Sequence, residues 1–358
     1  SELWVVNSKL VKQHEANGDW GAAWLTRNEA GSGGYRLHRF DAAVGFQCER
    51  YTDHFAGWHP GAIDDADFRV VMETATRVLG VMQGEFNTTD GYLPAEQVER
   101  MRASGKVNII EEEILRTFYF IINNAKPPLN DINMRRALSC AFDYDGFINN
   151  ILGGTVVRNA GIIPNPMWGA PKDLKGYGYD LDKAKYYLGQ VKEKIRPLQI
   201  GALGGYPQSE QAAQLLQAGV TKLGLDIKVV TEPFTTIAPK LDDPNRAHDL
   251  IPLWRSAYFA DPHNWTGFLF HSRNFGAGNA SFYKNERVDE LTDKALLITD
   301  QEQRRPIYEE VSRILVDEAA GIFIDNTKYY GPFTKNVKSI RYCAIADAQD
   351  LRWTVMET

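Results

Sequence analysis

Three cysteines, Cys48, Cys140 and Cys343, are all that the 358 residues contain. They are scattered, with no CxxC pair and no zinc-ligand spacing, so a structural zinc site is excluded and at most one disulfide can form. The sequence does not choose the pair. Cys140 falls between core positions of a helix and reads as a small buried apolar residue. No apolar run approaches the roughly 18 residues needed to cross a bilayer. Ser1-Glu2-Leu3-Trp4 is not a secretory signal. No lysine- or arginine-rich block stands out, and 40 basic against 46 acidic side chains leave a formal charge of −6. That balance argues against nucleic acid and anionic membrane surfaces as partners.

Catalytic signatures are equally scarce. The seven histidines include no HExxH, and His54 and His59, five apart in a loop, lack a third metal ligand. There is no GxSxG elbow, no kinase set and no P-loop; Gly31-Ser32-Gly33-Gly34 lacks the flanking strand and helix of a dinucleotide site. Glu111, Glu112 and Glu113 are consecutive, so on a strand they point to alternate faces and do not share one substrate. They read as a solvated edge. No cofactor and no metal is expected.

What the chain does have is a composition of 44% apolar and 24% charged residues, enough for two globular domains, and one highly structured stretch from Arg116 to Gly154. Thr117 to Asn124 is aromatic and β-branched and predicts a buried strand. Pro127 and Pro128 break it, Asp131 can cap a helix carrying Leu138, Ala141 and Phe142, and Asp143 can cap a second with Phe147, Ile148, Ile151 and Leu152. Gly153-Gly154 can take the left-handed conformation that ends it.

Asn123-Asn124, Pro127-Pro128, Asp131, Arg135-Arg136-Ala137, Ala141, Asp143, Asp145 and Gly153-Gly154 together resemble the centre of the family 5 extracellular solute-binding proteins, the dipeptide, oligopeptide and nickel receptors of ABC importers. Ala30-Gly31-Ser32-Gly33-Gly34-Tyr35-Arg36-Leu37 is similar to a second family element, with glycine where proline is usual. His54 to Gly61, Gly84 to Pro94 and Pro164 to Trp168 are similar to further elements in drifted form.

The resemblance implies an α/β, periplasmic-binding-protein-like two-lobed fold of type II, cluster C-like, with a partial first lobe. Residues 1–125 would form part of lobe I, 126–333 lobe II, and 334–358 a return to lobe I. The crossings would lie in the proline-rich junction after Asn124 and in residues 326–336. It also implies that roughly the first third of the protein precedes Ser1. The implied function is capture of a small solute in an interlobe cleft for delivery to a cognate ABC permease, without catalysis. The implied setting is periplasmic or extracellular, with a lipid anchor in the full-length form, and the implied state is a monomer. A hydrolase or transferase acting on peptides or sugars is the alternative, and no nucleophile–base constellation supports it.

Along the second half, Asp180 is expected to cap a helix, and Leu198–Leu203, a helix with Ala212, Leu215, Leu216, Val220 and Leu223, and Leu225–Val230 read as a β–α–β unit. Asp249 to Ala257 reads as a strand. Helices capped by Asn285 and Asp300 follow, with Pro306 inside the second, and Gly321–Asp325 and Val337–Tyr342 close the chain as strands.

Between strand and helices runs a long aromatic loop, the kind of segment that carries function. Candidate ligand contacts are Arg116, Phe118 and Tyr119 on the central strand, and Trp254, Arg255, Tyr258, Asp261, Asn279 and Phe282 in and around the loop. Aromatic rings offer apolar contact, and arginine pairs carboxylates. By the resemblance, an acid that holds a peptide's amino terminus would fall near Ala257-Tyr258, where none stands. A ligand carboxylate on Arg255 or Arg116, or a neutral sugar stacked on Trp254 and Tyr258, is therefore expected in place of an ordinary dipeptide.

Overall fold

Asp131 accepts a hydrogen bond from the Asn133 N–H at 2.8 Å, and so starts its helix as its sequence position predicts. The same device recurs at Asp180 (from Lys183 N–H, 2.9 Å), Asn285 (from Val288 N–H, 3.1 Å) and Asp300 (from Gln303 N–H, 2.8 Å). The computed structural model describes residues 5–41, 43–91, 93–276, 278–343, 348, 349 and 351–357, with the backbone alone at 342, 343, 348 and 349.

The described chain divides into two compact units. Unit 1 takes 1–91, 99–110 and 331–358; unit 2 takes 92–98 and 111–330. Unit 1 holds short helices α1 (Ser8–Gln13) and α2 (Ala22–Leu25), strands β1 (Tyr35–Asp41), β2 (Gly45–Arg50) and β3 (Asp65–Arg69), and helices α3 (Thr74–Gln83) and α4 (Ala95–Ser104), the last of which straddles the unit boundary. β1, β2 and β3 form an antiparallel sheet. The helix-like sequence ahead of the Gly31-Ser32-Gly33-Gly34 turn forms two short helices, and the strand that the turn feeds is β1.

Unit 2 is built on a six-stranded sheet. Its strands are β4 (Val107–Ile122), β5 (Val156–Arg158), β6 (Leu198–Leu203), β7 (Ile227–Glu232), β8 (Leu250–Ser256) and β9 (Gly321–Thr334), in the order β5-β9-β4-β8-β6-β7. β6 runs parallel to both β7 and β8, and β8 antiparallel to β4. Helices α5 (Ile132–Ala141), α6 (Leu181–Leu188) and α7 (Pro207–Thr221) follow, with short helices α8 (Phe234–Ile237) and α9 (Gly267–Phe270), and then α10 (Glu286–Leu296) and α11 (Gln301–Asp317). Phe118, Phe120 and Ile122 from β4 share one core with Leu138 and Ala141 of α5, Leu216 and Val220 of α7, and Ile322 and Ile324 of β9.

Three expectations change. The central strand starts at Val107, ten residues before the aromatic run, because β-structure continues through the glutamates. Its buried half belongs to the unit 2 core, and the units change at 91/92, 98/99, 110/111 and 330/331; the last falls within the expected 326–336 stretch, and none falls at the junction after Asn124. Residues 326–334 are strand. The helix expected after Asp143 is one π-helical segment, Gly146–Ile151, with Asp143 accepting from the Gly146 N–H at 2.9 Å. Gly153 and Gly154 are left-handed (φ +59° and +72°). Cys48 and Cys140 are free thiols, and burial pushes the Cys140 thiol up to about 11. The Cys343 side chain lies outside the described residues.

Candidate functional site

In open α/β sheets, ligands meet the protein beyond the carboxyl ends of the strands. In unit 2 the parallel strands β6 and β8 end at Leu203 and Ser256. The first leads into Tyr206, which precedes α7, and the second into the aromatic loop. Arg116 of β4 lies opposite Ser256, Thr117 opposite Arg255, and Phe118 opposite Trp254.

Alternation along the strands sorts the candidate residues onto two faces. On the face covered by α7, Trp254 packs against Phe118 (ring centroids 4.8 Å) and Tyr206 (5.8 Å), and Phe118 against Phe147 (6.0 Å). Phe118 is fully buried core. Arg116, two residues before Phe118, is likewise buried. On the other face, Tyr119 stacks with Phe323 at 6.0 Å. Burial pushes the Tyr119 phenol up to about 12, with the Arg255 charge pulling the other way. Trp254 and Arg255 are neighbours in sequence but face opposite sides. The structure therefore does not bring Trp254 and Tyr258 together as one stacking platform.

Arg255 rests against two rings, its guanidinium carbon 4.2 Å from the centre of Tyr258 and 4.8 Å from that of Phe268. Its Nη1 donates to the Tyr258 hydroxyl at 3.2 Å. Its Nε and Nη2 are buried and have no hydrogen-bond partner among the described residues. The loop holding Tyr258 is shaped by its own polar groups. Asn264 accepts from the Tyr258 N–H at 3.1 Å, and the Trp265 indole donates to the Arg255 carbonyl at 3.3 Å.

Asp261 is committed within the unit. It caps a 3₁₀ turn, accepting from the His263 N–H at 2.9 Å, and receives both arms of Arg304 at 2.7 and 2.8 Å. Arg304 also donates to the Tyr308 hydroxyl at 2.6 Å and lies 5.2 Å from the ring centres of Tyr308 and Trp168. Asn279 likewise closes a turn: its amide nitrogen donates to the carbonyls of His271 and Tyr283, and its oxygen accepts from the Ser281 hydroxyl at 2.7 Å. Phe282 is buried with φ +50° and packs against Phe275 at 5.9 Å.

Sequence reasoning missed Asp325, Gln208, Arg304 and Phe268. Asp325 of β9 is fully buried, and burial pushes its carboxyl up to about 8 against the opposing pull of Thr327, Arg116 and Arg158. Its oxygens accept from the Thr327 hydroxyl at 3.3 Å and the Gln208 amide at 3.4 Å. Arg304 and Tyr308 are spaced i, i+4, so their shared face on α11 was visible in the sequence. Their partner Asp261, 43 residues away from Arg304, was not. No group of three metal-binding side chains occurs among the described residues, and no described helix is long and apolar enough to cross a membrane.

The family described as bacterial extracellular solute-binding proteins, family 5 Middle, matches residues 2–277. The chain belongs to that family. Among family 5 relatives it is 32% identical over 337 residues to the probable D,D-dipeptide-binding periplasmic protein DdpA of Escherichia coli (strain K12), covering 93% of this chain and 64% of that one. It is 25% identical over 320 residues to the dipeptide-binding protein of the same organism, covering 88% of this chain and 59% of the relative. The chain thus spans less than two thirds of these relatives. Its fold is that of the Helicobacter pylori periplasmic binding protein DppA solved with peptide STSA (TM-score 0.88, 21% identity, 99% of this chain and 68% of the other). The Bacillus subtilis oligopeptide-binding protein AppA, solved with a nonapeptide, shares it too (TM-score 0.85, 18% identity, 99% and 72% covered). The α/β periplasmic-binding-protein class expected from the sequence is the class of these neighbours, and the family 5 relatives are named as binding proteins.

Proposed function

We propose that this protein is the solute-capturing component of an ABC-type importer, that it binds a small peptide-like solute bearing a carboxylate, and that it presents the ligand to a membrane permease. The observation that carries the reading is Arg255, a guanidinium held against two rings with two buried N–H groups unmatched. A charged donor buried without an acceptor is costly, and a carboxylate in bidentate contact is the acceptor its geometry suits. Tyr258 and Phe268 frame that contact. The dipeptide names of the relatives support a peptide-like ligand. Capture here means that ligand binding stabilises one conformation of the receptor, which the permease then reads. The setting that goes with this role is the periplasm or the outer cell surface, as a monomer, with lipid anchoring as one means of retention.

Calorimetric titration with a panel of L,L- and D,D-dipeptides and longer peptides, each free and N-acylated, tests the proposal. At least one is expected to bind in the micromolar range, and Arg255→Ala to abolish that binding. A panel that gives no binding at all, or binding that survives Arg255→Ala, overturns it.

A further inference from the structure

The two unmatched donors of Arg255 are Nε and Nη2, and together they form one side-on edge of the guanidinium. That edge presents two parallel N–H groups, the arrangement that takes both oxygens of a single carboxylate. Nη1, on the remaining side, is committed to Tyr258. The free edge therefore defines the chemistry of one end of the ligand.

The other end of an ordinary amino acid or peptide is an ammonium, which needs a counter-charge once it leaves water. Among the described residues of unit 2, the acids around this end of the sheet do not offer one. Asp261 is closed by Arg304 and Tyr308. Ala257, whose N–H donates to the Leu115 carbonyl, is buried and apolar. Asp325 lies on β9, the neighbour of β4 in the sheet, but its buried carboxyl favours the neutral form and already accepts from Thr327 and Gln208. Glu232, at the end of β7, is bound by Lys240 and His248. Glu113 is exposed and three residues down β4 from Arg116, a distance of roughly 10 Å. What remains at this end of the sheet, among the described residues of unit 2, is the donor edge of Arg255.

Resting on the proposed solute-capture role, we infer that this face selects a carboxylate whose nitrogen is acylated or absent, an N-acylated amino acid or peptide, with Arg255 as the specificity-determining residue. The guanidinium edge takes the terminal carboxylate. The amide in place of an ammonium needs only neutral hydrogen bonds, which the carbonyls and hydroxyls of the loop can supply.

The test compares alanyl-alanine, N-acetyl-alanyl-alanine and N-acetyl-alanyl-alaninamide, each in L,L and D,D form, by calorimetry on the protein and on Arg255→Lys. In at least one stereochemical series the N-acetyl acid is expected to bind about tenfold or more tighter than the free dipeptide, and the amide about tenfold or more weaker than the acid. Lysine keeps the charge but not the two-donor edge, so Arg255→Lys is expected to lose roughly tenfold for the acid and little for the amide. A circular dichroism melt confirms that the variant folds. Free dipeptide binding as tightly as its N-acetyl form, or all three compounds failing to bind, overturns the inference. The reading on which it rests falls only if the wider peptide panel also gives nothing.

Discussion

Arg304 grips Asp261 with both arms, at 2.7 and 2.8 Å, and so fixes the loop after β8 to helix α11. The pair is mostly shielded, with side-chain exposures of 14% and 24%. Removing one partner leaves a shielded charge unmatched, which costs more than the loss of a surface ion pair. Arg304→Ala is expected to destabilise unit 2 by about 2 kcal/mol, discounted for partial exposure. For a unit of this size that is a fall in thermal midpoint of roughly 4–8 °C. Calorimetric melting of the variant checks this, and an unchanged midpoint would show that the clamp contributes nothing.

Arg255 and Tyr258 touch, whereas Trp254 and Tyr258 lie on opposite faces. A double-mutant cycle on ligand binding should reflect that difference. Arg255→Met with Tyr258→Phe is expected to show a coupling of about 0.5–2 kcal/mol, while Trp254→Ala with Tyr258→Ala should add to within about 0.5 kcal/mol. Strong coupling in the second pair would restore a shared stacking platform.

A buried carboxyl and a half-buried imidazole act in opposite directions on the pH dependence of stability. Asp325 is raised from 3.8 to about 8 in the fold, so the native state holds its proton more tightly than the unfolded chain. Its contribution to stability is present at low pH and is lost as pH rises from about 4 to 8. His263 is lowered from 6.5 to about 4 by burial, so its contribution is present above 6.5 and is lost on acidification towards 4. The two oppose each other between pH 4 and 6.5. Between 6.5 and 8 only the Asp325 slope remains, and stability is expected to fall. Urea denaturation at pH 6.5 and 8 should show this fall, and Asp325→Asn should flatten it. A rise in wild-type stability over that interval would place the Asp325 carboxylate in an ion pair instead.

Helices α5 and α7 approach at Gly219, where a Cβ would stand 2.0 Å from the carbonyl oxygen of Ala141. That neighbour is backbone and cannot rotate away. Gly219→Ala is expected to cost about 3 kcal/mol, at the upper end of overpacking effects. The associated fall in melting midpoint is roughly 6–12 °C. A variant melting within a degree or two of the parent would mean that the helices separate freely.

Much of the fold was legible because its signals are local. Asp131, Asp180, Asn285 and Asp300 each cap the helix predicted for them, since a cap involves only the next two or three residues. The β–α–β unit could be read from periodicity, with β6 at the expected residues and β7 shifted by two. The candidate site was legible only as a list. Residue type and position beside the long aromatic loop named Trp254, Arg255 and Tyr258, but their partition between two faces depends on where the strand ends and how the loop turns.

By itself, the sequence determined the family, through the resemblance of its ordered motifs, and the helices, the β–α–β unit and the residues available for recognition, because caps and periodicity act within a few residues. Tertiary structure alone decided which charges remain open. Asp261 became part of a clamp because α11 delivers Arg304 to it from 43 residues away, and Asp325 became a buried acid because β9 lies inside the sheet. Arg255 kept a free edge because the same packing that filled the other carboxylates brought none of them to it. Desolvation and pairing are set by what surrounds a group in space, and no local pattern in the chain encodes that.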